Sequence, residues 1–350
     1  MGAGTGASNN LIRSLRAGDR PLVIVGCHSD RFVLKKSPAD RNYLVVPFTH
    51  PDALDAVTDV VTREHIDLLI PNSDADVRAI SAARGKMPCR LFLPSHAVIA
   101  LCQDKHDLSA FLRSHGVPAP LTSAVTALAD LEDLFRCLAS PARVWCRIRA
   151  GSGSMGAIPV ARPEQARSWI SYWEEMRGVP ATAFTLSEYL PGRDFAVQGL
   201  WKDGGLVLLK ICERLSYFAG GSQPSGVSST PALGKIVSVP AVVEVCRSAI
   251  AALDAAASGV FSIDLKEDAR GVPCVTEINA GRFCMITNIF DLTGKQNMAA
   301  TYVRLALGEP VESRGADDLA EGYYLVRDLD TLPGIFHADD FFDGIEETGH

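Results

Sequence analysis

The chain has 350 residues, of which 47% are hydrophobic and 21% charged, so it can bury a large core divided over two or three lobes. Its formal net charge of −7 and pI near 5.6 give no overall attraction for a polyanion, which argues against nucleic acid as a partner. No apolar run reaches the roughly 18 residues that a membrane span needs, so we expect no membrane partner either.

The cysteines, the histidines and the start of the chain favour a cytoplasmic protein without zinc. The nine cysteines are scattered and form no C-x-x-C pair, a pattern typical of reduced thiols. The eight histidines form no ligand-spaced group. The opening segment "MGAGTGASNN" has no apolar core of the length found in signal peptides.

The first 100 residues alternate short apolar segments with amphipathic ones. The apolar segments are "PLVIVGC", "NYLVVPF", "IDLLIP" and "CRLFLP", and the amphipathic ones are "PDALDAVTDVVTREH" and "DVRAISAARG". Short β-branched strands separated by amphipathic helices predict a small parallel α/β domain over residues 1–100.

Residues 101–185 form a second predicted unit, which opens with "CQDKHDLSAFLRSHGVPAP". This segment predicts a helix from about Asp104 to Ser114, ending at Gly116 because the two prolines that follow cannot continue it. Residues 186–312 form a third unit, in which strands return around the helices "AVVEVCRSAIAALDAAAS" and "KQNMAATYVRLALG". An acidic segment, residues 313–350, follows with one predicted strand, "YYLVRDL".

The segment "GVFSIDLKEDARGVPCVTEINA" predicts an antiparallel hairpin with the turn "EDARG". Because side chains alternate faces along a strand, Glu277 and Asn279 share a side, and Asp264 should lie roughly opposite Glu277. Two facing carboxylates repel each other unless a cation lies between them. Oxygen donors alone suit Mg²⁺ or Mn²⁺, so we predict a metal site; for this hairpin alone, an exposed polar edge is the alternative.

The segment "VWCRIRAGSGSMGAIPV" places a glycine-rich loop between two apolar strands, the first of which carries Arg147. Glycine lets successive backbone N–H groups point into one concavity, which suits phosphate oxygens. The loop lacks G-K-[ST] and is followed by a strand, so it is neither a Walker A loop nor a dinucleotide fingerprint. Taken alone it is equally consistent with an ordinary mobile hairpin.

The segment "FTLSEYLPGRDFAVQGLW" has two strands around a Pro-Gly turn, with Glu188 just before the turn and Asp194 just after it. Such acids can accept hydrogen bonds from an adenine amino group or a ribose hydroxyl. The backbone of Tyr189 and Leu190 can offer the amide edge that adenine reads. The alternative for this segment alone is a hairpin with exposed acids.

Taken in the order of the chain, which is glycine-rich loop, Pro-Gly segment and metal hairpin, the three motifs resemble those of the ATP-grasp superfamily, over roughly Gln103 to Asn288. "LIPNSDADV" and "CQDKHDLSAFLRSHGVPAP" are similar to the start of a carbamoyl-phosphate-synthetase-like unit of that superfamily. The resemblance implies a fold of α/β and α+β type, in which two α+β lobes clamp ATP. A small parallel α/β domain, the pre-ATP-grasp domain, precedes them.

The resemblance also implies a role for each polar residue of the motifs. Lys105 and Arg147 would contact the phosphates, and a loop with Gly151, Ser152, Gly153, Ser154 and Gly156 would cover them. Glu188, Tyr189 and Leu190 would contact the adenine, Asp194 the ribose, and Asp264, Glu277 and Asn279 the metal. Arg214 would lie near the phosphates or the substrate, and Arg282 would face the acyl phosphate or the substrate carboxylate.

The sequence departs from the superfamily's pattern at two positions that bear on catalysis. Arg147 stands where a lysine is usual, so a planar guanidinium replaces a compact ammonium group. The arginine after the metal motif is shifted one place in "NAGRF", to Arg282. A guanidinium there matches an acyl phosphate or a carboxylate bidentately, and a salt bridge to a neighbouring acid is the alternative.

The activity implied by the resemblance is that of an ATP-dependent carboxylate–amine ligase working through an acyl phosphate and releasing ADP. ATP and Mg²⁺ or Mn²⁺ would be the cofactors, and a small carboxylate and an amine the substrates; a homodimer is left open. One alternative is a nucleotide-binding regulator or scaffold with a degenerate site, which Arg147 favours and the complete metal set disfavours. Another is an enzyme that passes the acyl phosphate to a thiol.

Overall fold

The computed structural model describes residues 1–138, 143–151, 153–228, 230–312, 321–328, 332 and 334–340. Within these stretches the chain forms eleven α-helices and thirteen strands. The strands make three sheets, of two, four and seven strands. We call the parts of the molecule around these sheets the N-terminal lobe, the small lobe and the large lobe.

The N-terminal lobe comprises α1 (Gly6–Arg16), β1 (Val25–His28), α2 (Arg31–Leu34), β2 (Arg41–Leu44), α3 (Ala53–Arg63), α4 (Asp74–Ala82) and α5 (His96–Cys102). It is the small parallel α/β unit that the sequence predicts, but its sheet is narrower. β1 and β2 pair in parallel, whereas the predicted strands "IDLLIP" and "CRLFLP" share only the bridge between Leu68 and Arg90. Each segment ends in a proline, which has no N–H to donate to a ladder.

The helix α6 (Lys105–Ser114) leads from the N-terminal lobe into the small lobe. It begins after Asp104, whose carboxylate accepts hydrogen bonds from the backbone N–H groups of His106 and Asp107. It ends just before Gly116, which has a φ of +74°, so the predicted helix is confirmed at both ends. Its apolar residues belong to the core beneath the large sheet.

The small lobe comprises β3 (Thr122–Ala124), α7 (Leu131–Cys137), β4 (Val144–Ile148), β5 (Ile158–Val160), α8 (Pro163–Arg177) and β6 (Phe184–Glu188). Its strands form an antiparallel sheet in the order β3-β6-β4-β5. The glycine-rich loop joins β4 to β5, so a strand does follow it, as predicted.

The large lobe comprises β7 (Asp194–Lys202), β8 (Gly205–Tyr217), β9 (Pro231–Ile236), α9 (Pro240–Leu253), β10 (Gly259–Glu267), β11 (Pro273–Ala280), α10 (Thr287–Thr293), α11 (Met298–Leu307), β12 (Tyr323–Val326) and β13 (Gly334–His337). Its antiparallel sheet has the order β11-β10-β7-β8-β9-β12-β13. The predicted strand "YYLVRDL" is therefore present as β12 and pairs with β9. The described part of the acidic C-terminal segment thus forms one edge of this sheet.

β10 and β11 form the antiparallel hairpin that carries the predicted metal ligands. Asp264 pairs with Glu277 and Ser262 with Asn279, so the predicted opposition of the two carboxylates is confirmed. A register shift follows Asp264 directly. Ile263, on the other face of β10, is completely buried, which fixes the polar face of the hairpin toward the space between the sheets.

β6 and β7 lie in different sheets, so the alternative of a simple hairpin around the Pro-Gly turn is wrong. Where β6 ends, the backbone N–H of Glu188 donates to the carbonyl of Leu121 at 3.0 Å. The N–H of Leu121 in turn donates to Glu188 Oε2 at 2.8 Å. We call this pair of residues the hinge, because the chain enters and leaves the small lobe there.

Apolar packing joins the N-terminal and large lobes, and the small lobe has a core of its own. One cluster contains Leu11 of α1, Phe92 of the N-terminal lobe, Leu208 of β8 and Tyr302 of α11. The Tyr302 hydroxyl also donates to the Phe92 carbonyl at 2.7 Å. A separate cluster, which includes Ile170, is confined to the small lobe. Among the described residues, the small lobe therefore has its own cluster of buried apolar side chains, and polar contacts such as that of Arg149 with Asp104 link it to the rest of the molecule.

Helix length bears on the expectation of no membrane partner. The longest helix in the described residues is α8, with 15 residues. Across those same residues, no helix has both the length and the apolar composition needed to cross a bilayer.

Candidate active site

A cleft of about 360 Å³ lies between the four-stranded and the seven-stranded sheets, within the size range of small-molecule sites. It collects the predicted site residues from separate stretches of the sequence. Those that line it are Lys105, Arg147, Gly151, Gly153, Ser154, Glu188, Tyr189, Leu190, Asp194, Arg214, Asp264, Glu277, Asn279 and Arg282. The predicted Ser152 lies outside the described residues.

The oxygens of the β10–β11 hairpin each face a cation of the protein. Arg214 Nη2 lies 2.6 Å from Asp264 Oδ1, and Lys105 Nζ lies 3.7 Å from Glu277 Oε2. Arg282 Nη2 donates to Asn279 Oδ1 at 2.6 Å. Burial raises the pKa of Asp264, and the charge of Arg214 opposes that shift.

Two carboxylates and one amide oxygen on a single strand face are donors that Mg²⁺ and Mn²⁺ prefer. Each of these oxygens already has a positively charged side chain beside it, so this face of the hairpin attracts positive charge. The residues present therefore fit a divalent cation of this kind.

Asp194, which the sequence analysis linked to the ribose, lies at the centre of a network beside the hairpin. Its Oδ1 accepts from Arg214 Nη1 at 2.7 Å, and its Oδ2 accepts from the Tyr217 hydroxyl at 2.5 Å. Lys266 Nζ lies 3.8 Å from the same Oδ2. Burial lowers the pKa of Arg214, but Asp264 and Asp194 outweigh this and raise it well above its ordinary value. Arg214 thus bridges the metal ligands and the predicted ribose end of the cleft.

Two cations, the buried Lys105 and the half-buried Arg147, lie where phosphates are expected. Arg147 Nη2 donates to the Thr276 carbonyl at 3.0 Å, while its buried Nε has no partner among the described residues. Lys105 Nζ donates to the Gly151 carbonyl at 2.5 Å, which ties α6 to the glycine-rich loop. Burial lowers the pKa of both side chains, and the charge of Glu277 opposes the shift in each. An anion in the cleft would stabilise the charged form of both side chains.

The glycine-rich loop has the backbone angles that glycine permits. Gly151, Gly153 and Gly156 have φ of +122°, +75° and +67°. Gly151 and Gly153 line the cleft, and Gly156 lies outside its lining. A Cβ on Gly156 would lie 2.7 Å from Ile148 Cγ1, so this glycine allows the base of the loop to pack on β4.

The predicted adenine segment lines one end of the cleft, and Glu188 makes a further contact there. One of its carboxylate oxygens accepts from the backbone N–H of Leu121 at the hinge, so this oxygen supports the lobe connection, while the adenine contact of the segment stays a prediction. Trp145, which the sequence analysis missed, lines the same end, with its ring 6.4 Å from that of Tyr189. The alternation of side chains along β4 could have identified Trp145 as a site residue, because it lies on the same strand face as Arg147.

Arg282 contacts both the metal hairpin and the N-terminal lobe. Its Nε lies 2.6 Å from Asp74 Oδ1 at the start of α4, and its Nη2 contacts Asn279. The salt bridge considered as an alternative is therefore present, and Arg282 also lines the cleft. Asp74 was not among the predicted site residues, although it lies in the quoted segment "LIPNSDADV".

No family model matches the chain. Among solved structures, biotin carboxylase from Campylobacter jejuni, in a β,γ-ATP complex, matches with a TM-score of 0.68 and 15% identity, over 92% of this chain and 73% of that one. L-amino acid ligase from Bacillus licheniformis matches with a TM-score of 0.65 and 17% identity, over 92% of this chain and 76% of that one.

A third similar structure is carboxyaminoimidazole ribonucleotide synthase from Aspergillus clavatus, complexed with ATP. It matches with a TM-score of 0.68 and 14% identity, over 93% of this chain and 80% of that one. These likenesses show that the chain has the ATP-grasp fold, preceded by the small parallel α/β unit, as the sequence predicts.

Proposed function

We propose that this protein is an ATP-dependent carboxylate–amine ligase that works through an acyl phosphate and releases ADP. The observation that carries the proposal is the cleft itself, where facing carboxylates on one sheet lie beside two cations and a glycine-rich loop from the other. Phosphoryl transfer needs positioning and neutralisation of charge more than covalent help, and these groups supply both. Two of the similar structures are described as ATP complexes, and a third as a ligase of amino acids.

The proposed roles follow from where the residues lie. Lys105 on α6 and Arg147 on β4 of the small lobe hold the phosphates, and the glycine-rich loop closes over them. Asp264, Glu277 and Asn279 hold Mg²⁺ or Mn²⁺, which neutralises phosphate charge when bound. The segment Tyr189–Leu190 offers its backbone to the adenine, and Asp194 lies within reach of the ribose. We place Arg282 at the reacting carboxylate.

The reaction has two balanced steps. A carboxylate oxygen of the substrate bonds to the γ-phosphorus, and the bond from that phosphorus to the β–γ bridging oxygen breaks, which releases ADP. The amine nitrogen then bonds to the acyl carbon as the carbon–oxygen bond to phosphate breaks, and phosphate leaves with the electron pair. The proton lost by nitrogen passes to phosphate or water. Arg282 stabilises the negative charge that develops at the acyl group.

The test is isotopic. The protein is first screened for ADP release with ATP, Mg²⁺ and a panel of amino acids and small carboxylates, with and without an amine. The active acid is then supplied with ¹⁸O in its carboxylate, and the products are analysed by mass spectrometry. An acyl phosphate transfers one ¹⁸O to inorganic phosphate, whereas label in AMP would mean adenylation and would overturn the proposal.

A nucleotide-binding regulator is the second candidate, because Arg147 replaces the usual lysine. It predicts tight ATP binding without ADP release for any acid and amine in the panel. An acyl phosphate passed to a thiol predicts ADP release that depends on a thiol rather than an amine.

We further propose a cytoplasmic location and a homodimer. All nine cysteines are free thiols, which supports a reducing compartment. Size-exclusion chromatography with light scattering measures the assembly directly, and a mass of 37.5 kDa would show a monomer instead.

A further inference from the structure

A second cavity, of about 420 Å³, adjoins the cleft on the side of the N-terminal lobe. α4, the end of α5, the start of α6, the base of the glycine-rich loop and β11 enclose it. The residues that line both cavities are Lys105, Ala150, Gly151, Glu277 and Asn279. The second cavity therefore opens directly beside the proposed site of phosphoryl transfer.

The charged side chains that line this cavity are paired, with one exception. Asp104 and Asp107 both pair with Arg149, at 2.7 and 2.9 Å. Glu277 pairs with Lys105, and Asp74 with Arg282 across the lobes. The remaining charged residue is Arg78, which is exposed on α4. Among the described residues it has no ion pair or side-chain hydrogen bond.

The guanidinium of Arg78 is available to a ligand at the cavity. Asp74 precedes Arg78 by four residues on α4, a spacing at which an acid and an arginine can pair along a helix, but Asp74 pairs with Arg282 at 2.6 Å. A free guanidinium that lines a cavity matches a carboxylate bidentately.

We propose that the second cavity binds the amine substrate, and that this substrate is a zwitterionic amino acid whose carboxylate is held by Arg78. The inference rests on the proposed function and names the substrate class of its second step. Arg282 lines the cleft but not the second cavity, so the reacting carboxylate belongs in the cleft. The cavity is then the place for the nucleophile.

One acid of the cavity fits the other half of a zwitterion. Asp74 lines the cavity, and the carboxylate oxygen that does not pair with Arg282 can accept from an ammonium group. An amino acid anchored at Arg78 would direct its nitrogen toward Glu277 and Asn279, the wall shared with the cleft. The nitrogen would then lie next to the acyl phosphate.

The experiment measures binding, not turnover. The wild-type protein is saturated with Mg²⁺ and a non-hydrolysable ATP analogue, and the twenty proteinogenic amino acids are screened by saturation-transfer NMR. The strongest binder and its carboxamide are then titrated against wild type, Arg78→Gln and Arg78→Lys. Arg177→Gln, an exposed arginine on α8 of the small lobe, is the matched control.

We expect Arg78→Gln to weaken binding of the amino acid by about tenfold or more, the loss typical of a charge-assisted hydrogen bond. Arg78→Lys should lose less, the carboxamide should bind wild type as weakly as the amino acid binds Arg78→Gln, and Arg177→Gln should match wild type. Equal binding by Arg78→Gln, or no amino acid bound by wild type, overturns the inference. Failure of the proposed function shows differently, as no binding of the ATP analogue or no ADP release.

Discussion

Glu277 makes two contacts that depend on its charge: it faces Asp264 across the hairpin and pairs with Lys105 at 3.7 Å. Glutamine keeps the size of the side chain and removes the charge that a divalent cation needs. We expect Glu277→Gln to lower turnover by roughly a hundredfold or more, with an unchanged circular dichroism spectrum. Glu244→Gln, on the exposed side of α9, is the control. Turnover near that of wild type would remove Glu277 from the metal site.

Arg147 is a half-buried guanidinium at the proposed phosphate end of the cleft, and its Nε has no partner among the described residues. Arg147→Ala should weaken binding of a non-hydrolysable ATP analogue by about 1 to 3 kcal/mol, the range for a lost charge-assisted hydrogen bond. Arg147→Lys keeps the charge and should retain affinity. Isothermal titration calorimetry measures all three proteins. An alanine variant with wild-type affinity would contradict phosphate contact by this residue.

Cys284 lines the cleft, and burial raises its pKa to about 11. Only the thiolate reacts with iodoacetamide, so the alkylation rate at this position should rise about tenfold per pH unit between pH 7 and pH 9.5, without levelling off. Peptide mass spectrometry measures Cys284 and Cys137 separately, and the exposed Cys137 is the control that shows the reagent is active. A plateau below pH 9.5 would mean that the thiol is less buried than the structure shows.

At the scale of elements, two glycines of one loop are expected to differ in what they do. Gly156→Ala places a Cβ 2.7 Å from Ile148 at a φ of +67°, so we expect a loss of stability of about 1 to 3 kcal/mol. Gly153→Ala meets no atom within 4 Å, so its loss should be smaller and should appear in nucleotide affinity. Thermal unfolding and calorimetry on both variants separate the effects. Equal losses of stability would contradict the packing role of Gly156.

The elements that the sequence predicts well are those with a local signal. The alternation of β10 and β11 and the turn between them were enough to oppose Asp264 and Glu277, and the Asp104 cap and Gly116 were enough to bound α6. The helices α1, α2, α5, α7, α8 and α10 were not predicted. α1 follows a glycine-rich start, and α2, α5, α7 and α10 have seven residues or fewer, too few for a periodic pattern. α8 was overlooked although it has 15 residues.

The parts of the candidate site that the sequence did not predict depend on contacts between distant segments. The pair of Asp74 with Arg282 spans 208 residues, and no local pattern encodes it. The same holds for the engagement of Glu188 by Leu121, 67 residues away. From its neighbours in the sequence, each of these side chains would be judged an unpaired polar group. Its partner is brought to it by the arrangement of the lobes.

At the scale of the molecule, the separate core of the small lobe predicts that this lobe unfolds locally without the other two lobes. Ile170→Ala removes a completely buried side chain from that core, at a cost of about 2 to 5 kcal/mol. Hydrogen–deuterium exchange should accelerate in β3 to β6 and stay unchanged in β7 to β11. Leu209→Ala, in the core of the large lobe, is the matched variant and should affect the N-terminal lobe as well. Uniform acceleration in both variants would show one cooperative unit.

Because the hinge lies at one end of the small lobe, a rotation there displaces the distant parts of that lobe most. The glycine-rich loop leaves β4 at Ile148, which pairs with Phe184, four residues along β6 from Glu188. At about 3.3 Å per residue, the loop begins about 13 Å from the hinge, so a rotation of about 10° carries it by about 2 Å. The hinge residues scarcely move in that rotation. A small change of angle at Leu121 and Glu188 therefore moves the glycine-rich loop far enough to break the contact between the Gly151 carbonyl and Lys105 Nζ.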